Sequence, residues 1–404
     1  MIKMPTWACL KSGSFLSKKV FYFAAIPLMI MFIISFSMFL RGDNQSHEES
    51  IKQQLYGTDF LAFYSAGMLS KEGTPNKAYD KTEILPVQNV LTQFDRVEPL
   101  PFVHPPIFLI LMQFIVDFSY AQAWFLFQSI TLLASLYVLY CIHSDQKIVL
   151  ATFTFFPTFA NLAIGQTAFL TTALMGGVLI NIQKNKYLAG FFLGLLTYKP
   201  QFGILIPLAL IVGKEWKVFA SASLTALLLI LMVHFHYGSS SIWISFFNAL
   251  EAQTQILHRD NAMFPLSAFL TMRGWGFSIG TAYTVHTMLQ VLLVCFILYL
   301  WRDKGTIAYP IKAAGLVLAA MLFTPYLLAY DLFLLMIPLA YLAKFAADYG
   351  WQPYQKILMV VIWGVLWFEA PMRDSAVLTV GSAVLVALMM YVAYLARQSV
   401  LIAK

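Results

Sequence analysis

Long apolar stretches separated by short polar interruptions run along almost the whole chain, which predicts membrane-crossing helices at about 20 apolar residues per crossing. The first run, 21–40, follows an acid-free stretch carrying Lys3, Lys11, Lys18 and Lys19. It ends Ser-Phe-Ser-Met-Phe-Leu-Arg with no small-residue cleavage site, so it reads as a retained signal anchor with a cytoplasmic amino terminus. Further spans are expected at 121–142, 148–162, 166–182, 187–198, 201–212, 216–236, 280–301, 308–323, 326–346, 357–370 and 374–396. That makes twelve, with both termini inside. The segments 187–198 and 201–212 reach only about 18 Å each, short of the roughly 30 Å hydrocarbon core, and predict a hairpin whose tip stays recessed.

Two polar stretches interrupt this pattern. Residues 41–104 hold nine acids against six Lys and Arg and are expected as an outer loop. Within it, Phe60, Phe63, Tyr64, Gly67 and Met68 repeat at helical spacing after Thr58-Asp59, which predicts a short helix lying on the membrane surface, with a second helix after Tyr79. Residues 237–279 predict a second outer loop with an amphipathic helix and a partly re-entrant piece. The apolar segment 105–120 decides the topology. If it spanned, the loops of Lys184 and Lys186, Lys214 and Lys217, and Arg302 and Lys304 would all face outward, against the positive-inside rule. It therefore reads as a dip into the outer leaflet, and residues 1–404 as one integral membrane domain.

Composition agrees. A chain that is 60% hydrophobic and 11% charged, with mean hydropathy +0.73, is not a soluble globular protein. The net charge of +7 is explained by topology, so nucleic acid is not an expected partner. Cys9, Cys141 and Cys295 lack metal-ligand spacing, and His234, His236 and His258 form no metal set, so no metal or other cofactor is expected.

With this topology the unusual polar residues gather at the outer face: Asp59, His104, Gln166, Lys199, Gln201, His258, Arg259, Asp260, Tyr326, Asp331 and the stretch Glu369 to Arg373. Asp59 fits either an N-cap of the surface helix or a general base facing a cleft. Lys199 precedes Pro200, where a cation beside a helix N-terminus would attract phosphate, with a snorkelling lysine as the alternative. Thr324-Pro325 repeats the logic, predicting that the helix bearing Tyr330 and Asp331 starts there. An acid below the surface needs either a function or a basic partner. His104 fits a phosphate or sugar contact and an interfacial histidine equally. Intramembrane charges and interrupted helices also mark secondary transporters or flippases for lipid-linked or anionic substrates, which would place ionisable groups near mid-bilayer rather than at one face.

The stretch Gly57-Thr58-Asp59-Phe60 with Tyr64, Ala66-Gly67, Gly73 and Tyr79 resembles the first outer loop of glycosyltransferase family 87, bacterial polyprenyl-phosphate-sugar-dependent enzymes that include mannosyltransferases. His104-Pro105-Pro106, Gly165-Gln166-Thr167, Ala189-Gly190 through Lys199-Pro200-Gln201, and Thr324-Pro325-Tyr326 with Tyr330-Asp331-Leu332 match in order, over about residues 57–345. The resemblance implies an all-α polytopic membrane protein of the GT-C fold in the bacterial cytoplasmic membrane. It implies transfer of a hexose, such as mannose, from a polyprenyl-phosphate donor to a hydroxyl of a lipid or glycan acceptor at the outer face. Asp59 would be the base; Lys199, Arg259 and His104 would bind the donor phosphate; Tyr64, Gln166, Gln201, Tyr326, Tyr330 and Asp331 would line the substrate. Some mannosyltransferases of the family carry histidine beside the acid of the last motif, where this chain has Tyr330 and Leu332.

Overall fold

The computed structural model describes residues 57–92, 98–259, 266–302, 305–368 and 380–402, plus Ala25, Ile26, Met29, Ile30 and Ile33. These five are helical, but most of the predicted first span lies outside the described residues, as do Cys9, Asp260 and Glu369 to Arg373.

The described chain is all-helical, as expected where apolar backbone must satisfy its own hydrogen bonds. The order is α1 (Thr58–Lys71), α2 (Lys81–Thr92), α3 (Pro106–Ile115), α4 (Tyr120–Ile142), α5 (Lys147–Phe153), α6 (Phe156–Ile164), α7 (Ala168–Lys184), α8 (Lys186–Leu195) and α9 (Ile206–Val212). It continues with α10 (Trp216–Tyr237), α11 (Ser241–Arg259), α12 (Ala268–Gly274), α13 (Ile279–Arg302), α14 (Tyr309–Phe323), α15 (Met336–Tyr349), α16 (Gln355–Val365) and α17 (Val380–Ile402).

Among the described residues, five helices are long and apolar enough to cross a membrane: α4, α10, α13, Ala329–Tyr349 and Gly381–Val400. The pair α5 and α6, bent by 55°, adds a sixth if it is one span. The other expected crossings within the described residues are shorter helices; 187–198 and 201–212 break into α8, two 3₁₀ turns (Leu196–Tyr198 and Pro200–Phe202) and α9. Pro200 starts the second turn, with Lys199 at the break.

The core centres on α14, whose Ala313, Ala314 and Leu316 to Met321 are buried against α13, α15 and α17. Small residues set the closest approach elsewhere. A Cβ on Gly190 or Gly194 of α8 would strike Ser221 or Thr225 of α10, so that pair packs backbone to backbone.

Two expectations about local structure are corrected. The predicted surface helix is buried on nearly every side, because α3 packs along it and the 3₁₀ turn Pro75–Tyr79 covers its end. A Cβ on Gly67 would come within 2.7 Å of the Met112 carbonyl oxygen, and Ser65 is satisfied within the helix by the Leu61 carbonyl at 2.7 Å. The helix predicted to begin at Thr324-Pro325 begins instead with the 3₁₀ turn Ala329–Leu335. Thr324 ends α14, and the Pro325 carbonyl accepts the Ser267 hydroxyl, which holds the intervening segment extended.

Candidate active site

Two glycines with left-handed backbone join the start of α1 to the turn between α6 and α7. Gly57 (φ 74°) caps α1 and Gly165 (φ 76°) caps α6, a conformation that disfavours residues with a Cβ. They stack closely: a Cβ on Gly165 would lie 2.9 Å from the Gly57 Cα, and one on Gly57 would lie 2.7 Å from the Trp124 ring. The Gly57 N–H donates to the Ala163 carbonyl at 3.2 Å.

Gly57, with no capping side chain, occupies the position that the capping reading gave to Asp59. Asp59 stands in the first turn, partly exposed, and its Oδ2 accepts a hydrogen bond from Gln166 Nε2 at 2.7 Å. Burial pushes the Asp59 carboxyl above its ordinary value near 3.8, while the Gln166 hydrogen bond and the Lys199 charge hold the rise back. Such a carboxylate accepts a proton more readily than a free aspartate does.

Gln166 is itself held. Its Oε1 accepts the Thr167 N–H at 3.2 Å, and its carbonyl accepts Gln128 Nε2 at 3.0 Å. Gln128 Oε1 accepts Asn161 Nδ2 at 2.9 Å, and Asn161 Oδ1 accepts the Ala168 N–H at 2.9 Å.

Lys199 does not snorkel. It is 5% exposed, and its Nζ donates to Oδ1 of Asp331, itself 2% exposed, at 2.6 Å. Asp331 Oδ2 accepts the Leu328 N–H at 3.4 Å. The ammonium lies 5.1 Å from the Tyr330 ring centre and 5.3 Å from that of Phe202. The acid in the helix thus has the basic partner that its depth requires.

His104 packs against Phe63, Phe108 and Tyr198, with ring centres 4.9, 4.8 and 6.4 Å away. Burial and the Lys199 charge lower its imidazole to about 3, so it is neutral, and its buried Nδ1 has no hydrogen-bond partner among the described residues. Tyr198 shares a hydrogen bond with Thr171 Oγ1 at 2.5 Å and donates to the Thr167 carbonyl at 3.2 Å.

The structure thus gathers Asp59, Gln166, Lys199, Asp331, Tyr330 and His104 in one region. Tyr326 belongs to another cluster, hydrogen-bonded to Tyr283 at 2.7 Å and to His258 at 3.1 Å. Tyr64 is buried and donates to the Phe118 carbonyl at 2.8 Å. Gln201 sits partly exposed in the Pro200–Phe202 turn. Arg259 ends α11, and its side chain lies outside the described residues. No three His, Cys, Asp or Glu among the described residues gather in a way that could hold a metal ion. Sequence reasoning passed over Gln128, Asn161 and Tyr198. The legible signal was two amides inside apolar spans, where a polar side chain needs a partner.

A partly exposed carboxylate raised by burial thus lies in one region with a buried cation, in a bundle of apolar helices. The family model for glycosyltransferase family 87 matches residues 102–329, more than half of the chain, and the chain belongs to that family. It is a membrane glycosyltransferase. The matched interval holds His104, Gln166, Lys199, Gln201, Arg259 and Tyr326, while Asp59, Tyr64, Tyr330 and Asp331 flank it. No curated protein and no solved structure matches the chain.

Proposed function

We propose that this protein moves a hexose, such as mannose, from a polyprenyl-phosphate donor to a hydroxyl of a lipid or glycan acceptor. The reaction takes place at the outer face of the bacterial cytoplasmic membrane, in a twelve-span GT-C architecture whose outer segments are 41–104 and 237–279. The observation that carries this reading is the partly exposed Asp59 carboxylate, raised by burial and steadied by Gln166 beside the Lys199 cation.

In the proposed step the acceptor oxygen attacks the anomeric carbon in line, the bond from that carbon to the phosphate oxygen breaks, and the configuration inverts. Asp59 takes the hydroxyl proton. The departing phosphate changes from a diester to a monoester and gains negative charge. An ammonium has three donors; among the described residues Asp331 engages one, and the others would serve the leaving oxygen. Asp331 then orients Lys199. His104, being neutral, contributes a hydrogen bond through Nδ1 rather than a charge. Arg259 is assigned to the donor phosphate, and Tyr64, Gln201, Tyr326 and Tyr330 to the substrate lining.

Asp59→Asn tests this. The amide keeps the size and loses the basicity, so transfer by the purified variant should fall by about 10²- to 10⁴-fold. A rate above roughly a tenth of wild type would exclude a base role.

A further inference from the structure

The amides around the Gly165 turn have no task in the step just described, yet every one is oriented. A backbone N–H can only donate, so each amide can be read from its end. The Thr167 N–H, 3.2 Å from Gln166, fixes Oε1 there and turns Nε2 onto Asp59 Oδ2 at 2.7 Å. The Ala168 N–H on Asn161 Oδ1 turns Asn161 Nδ2 onto Gln128 Oε1. Gln128 Nε2 is then turned onto the Gln166 carbonyl. A flip at any of the three would set donor against donor at one end of the amide and acceptor against acceptor at the other. All three amide residues are buried, so mispaired groups would carry a full desolvation cost. Asp59 Oδ1 makes no hydrogen bond among the described residues.

We infer that Gln166 is a positioning residue for the Asp59 base, held by Gln128 and Asn161, and that it ties down Oδ2 so that Oδ1 takes the acceptor proton. This rests on the reading of Asp59 as base. It moves Gln166 from the substrate lining to the support of the carboxylate. The hydrogen bond also favours the ionised carboxylate, so its loss must raise the pH at which the base is switched off.

The test is the pH dependence of kcat and KM for the purified full chain. The donor is whichever of synthetic polyprenyl-phosphate mannose, glucose or galactose the wild type turns over. In Gln166→Met the acid limb should move up by about one pH unit, the worth of a hydrogen bond to a charged group. Its kcat should fall about 10- to 100-fold, with KM for donor and acceptor little changed. Gln166→Glu keeps the shape and, when protonated, the donor; sharing a proton with Asp59 moves its limb up too, so it carries the test if the Met variant fails to fold. Gln128→Leu should move the limb in the same direction by less. A limb that stays in place, or a rise in KM without a shift, overturns the inference; the second result returns Gln166 to the substrate. Asp59→Asn, measured alongside, separates the two readings. If it is inactive while the limbs of the Gln166 variants stay in place, only the positioning role falls; if it is active, the base falls first.

Discussion

Asp59 and Asp331 are two carboxylates in one region of the molecule with opposite surroundings. Asp59 is partly exposed, hydrogen-bonded to a neutral amide, and has one oxygen with no hydrogen bond among the described residues. Asp331 is buried against an ammonium, with its second oxygen on a backbone N–H. The first environment leaves a carboxylate able to take and release a proton. The second commits the carboxylate to holding a cation. Residue type is identical, so the division of labour comes from the partner and from exposure.

The sharpest way to break this comparison is to make the same change at both. Asp59→Asn should cost about 10²- to 10⁴-fold in transfer and leave the melting temperature unchanged or higher. The sign follows from the raised carboxyl: a group whose folded value lies above its unfolded one weakens the fold when ionised, so removing its charge at neutral pH relieves the fold. Asp331→Asn should instead destabilise by about 3–5 kcal/mol, because Lys199 loses its buried counter-ion. Thermal unfolding in detergent alongside activity reads both; equal loss of stability at the two sites would defeat the distinction.

Next in size is the double change Lys199→Met with Asp331→Leu. Removing both charges should recover most of the roughly 3–5 kcal/mol lost by either single change, while transfer stays low. Failure to recover would mean that the pair is held by more than mutual neutralisation.

Gly165→Ala should cost about 1–3 kcal/mol, since it adds a clash with Gly57 to the strain of positive φ. Gly238→Ala is the control: its φ is 64° but a Cβ there meets nothing within 4 Å, so it should cost less in the same melting assay.

The smallest expected effect separates Asp59 from His104. Activity should fall as pH drops through a value above 3.8, because the base must be ionised and burial raises it. His104 stays neutral down to about 3. His104→Gln should therefore leave the position of the acid limb unchanged in the pH profile.

Much of the helix pattern was legible because an unbroken apolar run has few alternatives. The spans expected at 121–142, 216–236 and 280–301 appear as Tyr120–Ile142, Trp216–Tyr237 and Ile279–Arg302. The motifs also singled out Asp59, Gln166 and Lys199, which the fold brings into one region. What local sequence hid was partnership. The spacing of Phe60, Phe63 and Tyr64 fits a helix on a membrane surface or one buried against another helix, and only α3 decides between them. Pairing of Lys199 with Asp331, 132 residues apart, was left open between function and neutralisation because neither residue carries a local mark of the other. Thr324-Pro325 has the composition of a helix start, but the tertiary hydrogen bond from Ser267 overrides that preference.

The stacked glycines also bear on how the molecule is made. Asp59 leaves the ribosome 107 residues before its partner Gln166, and Gly57 must close against a turn that does not yet exist. At about 5–20 residues per second, the start of α1 waits roughly 5–20 s for the Gly165 turn. For that interval the Gly57 end of the helix lacks the turn that it packs against in the finished protein. Conditions that slow synthesis between Gly57 and Gly165 should therefore lengthen the period in which the newborn chain depends on a chaperone or the lipid surface.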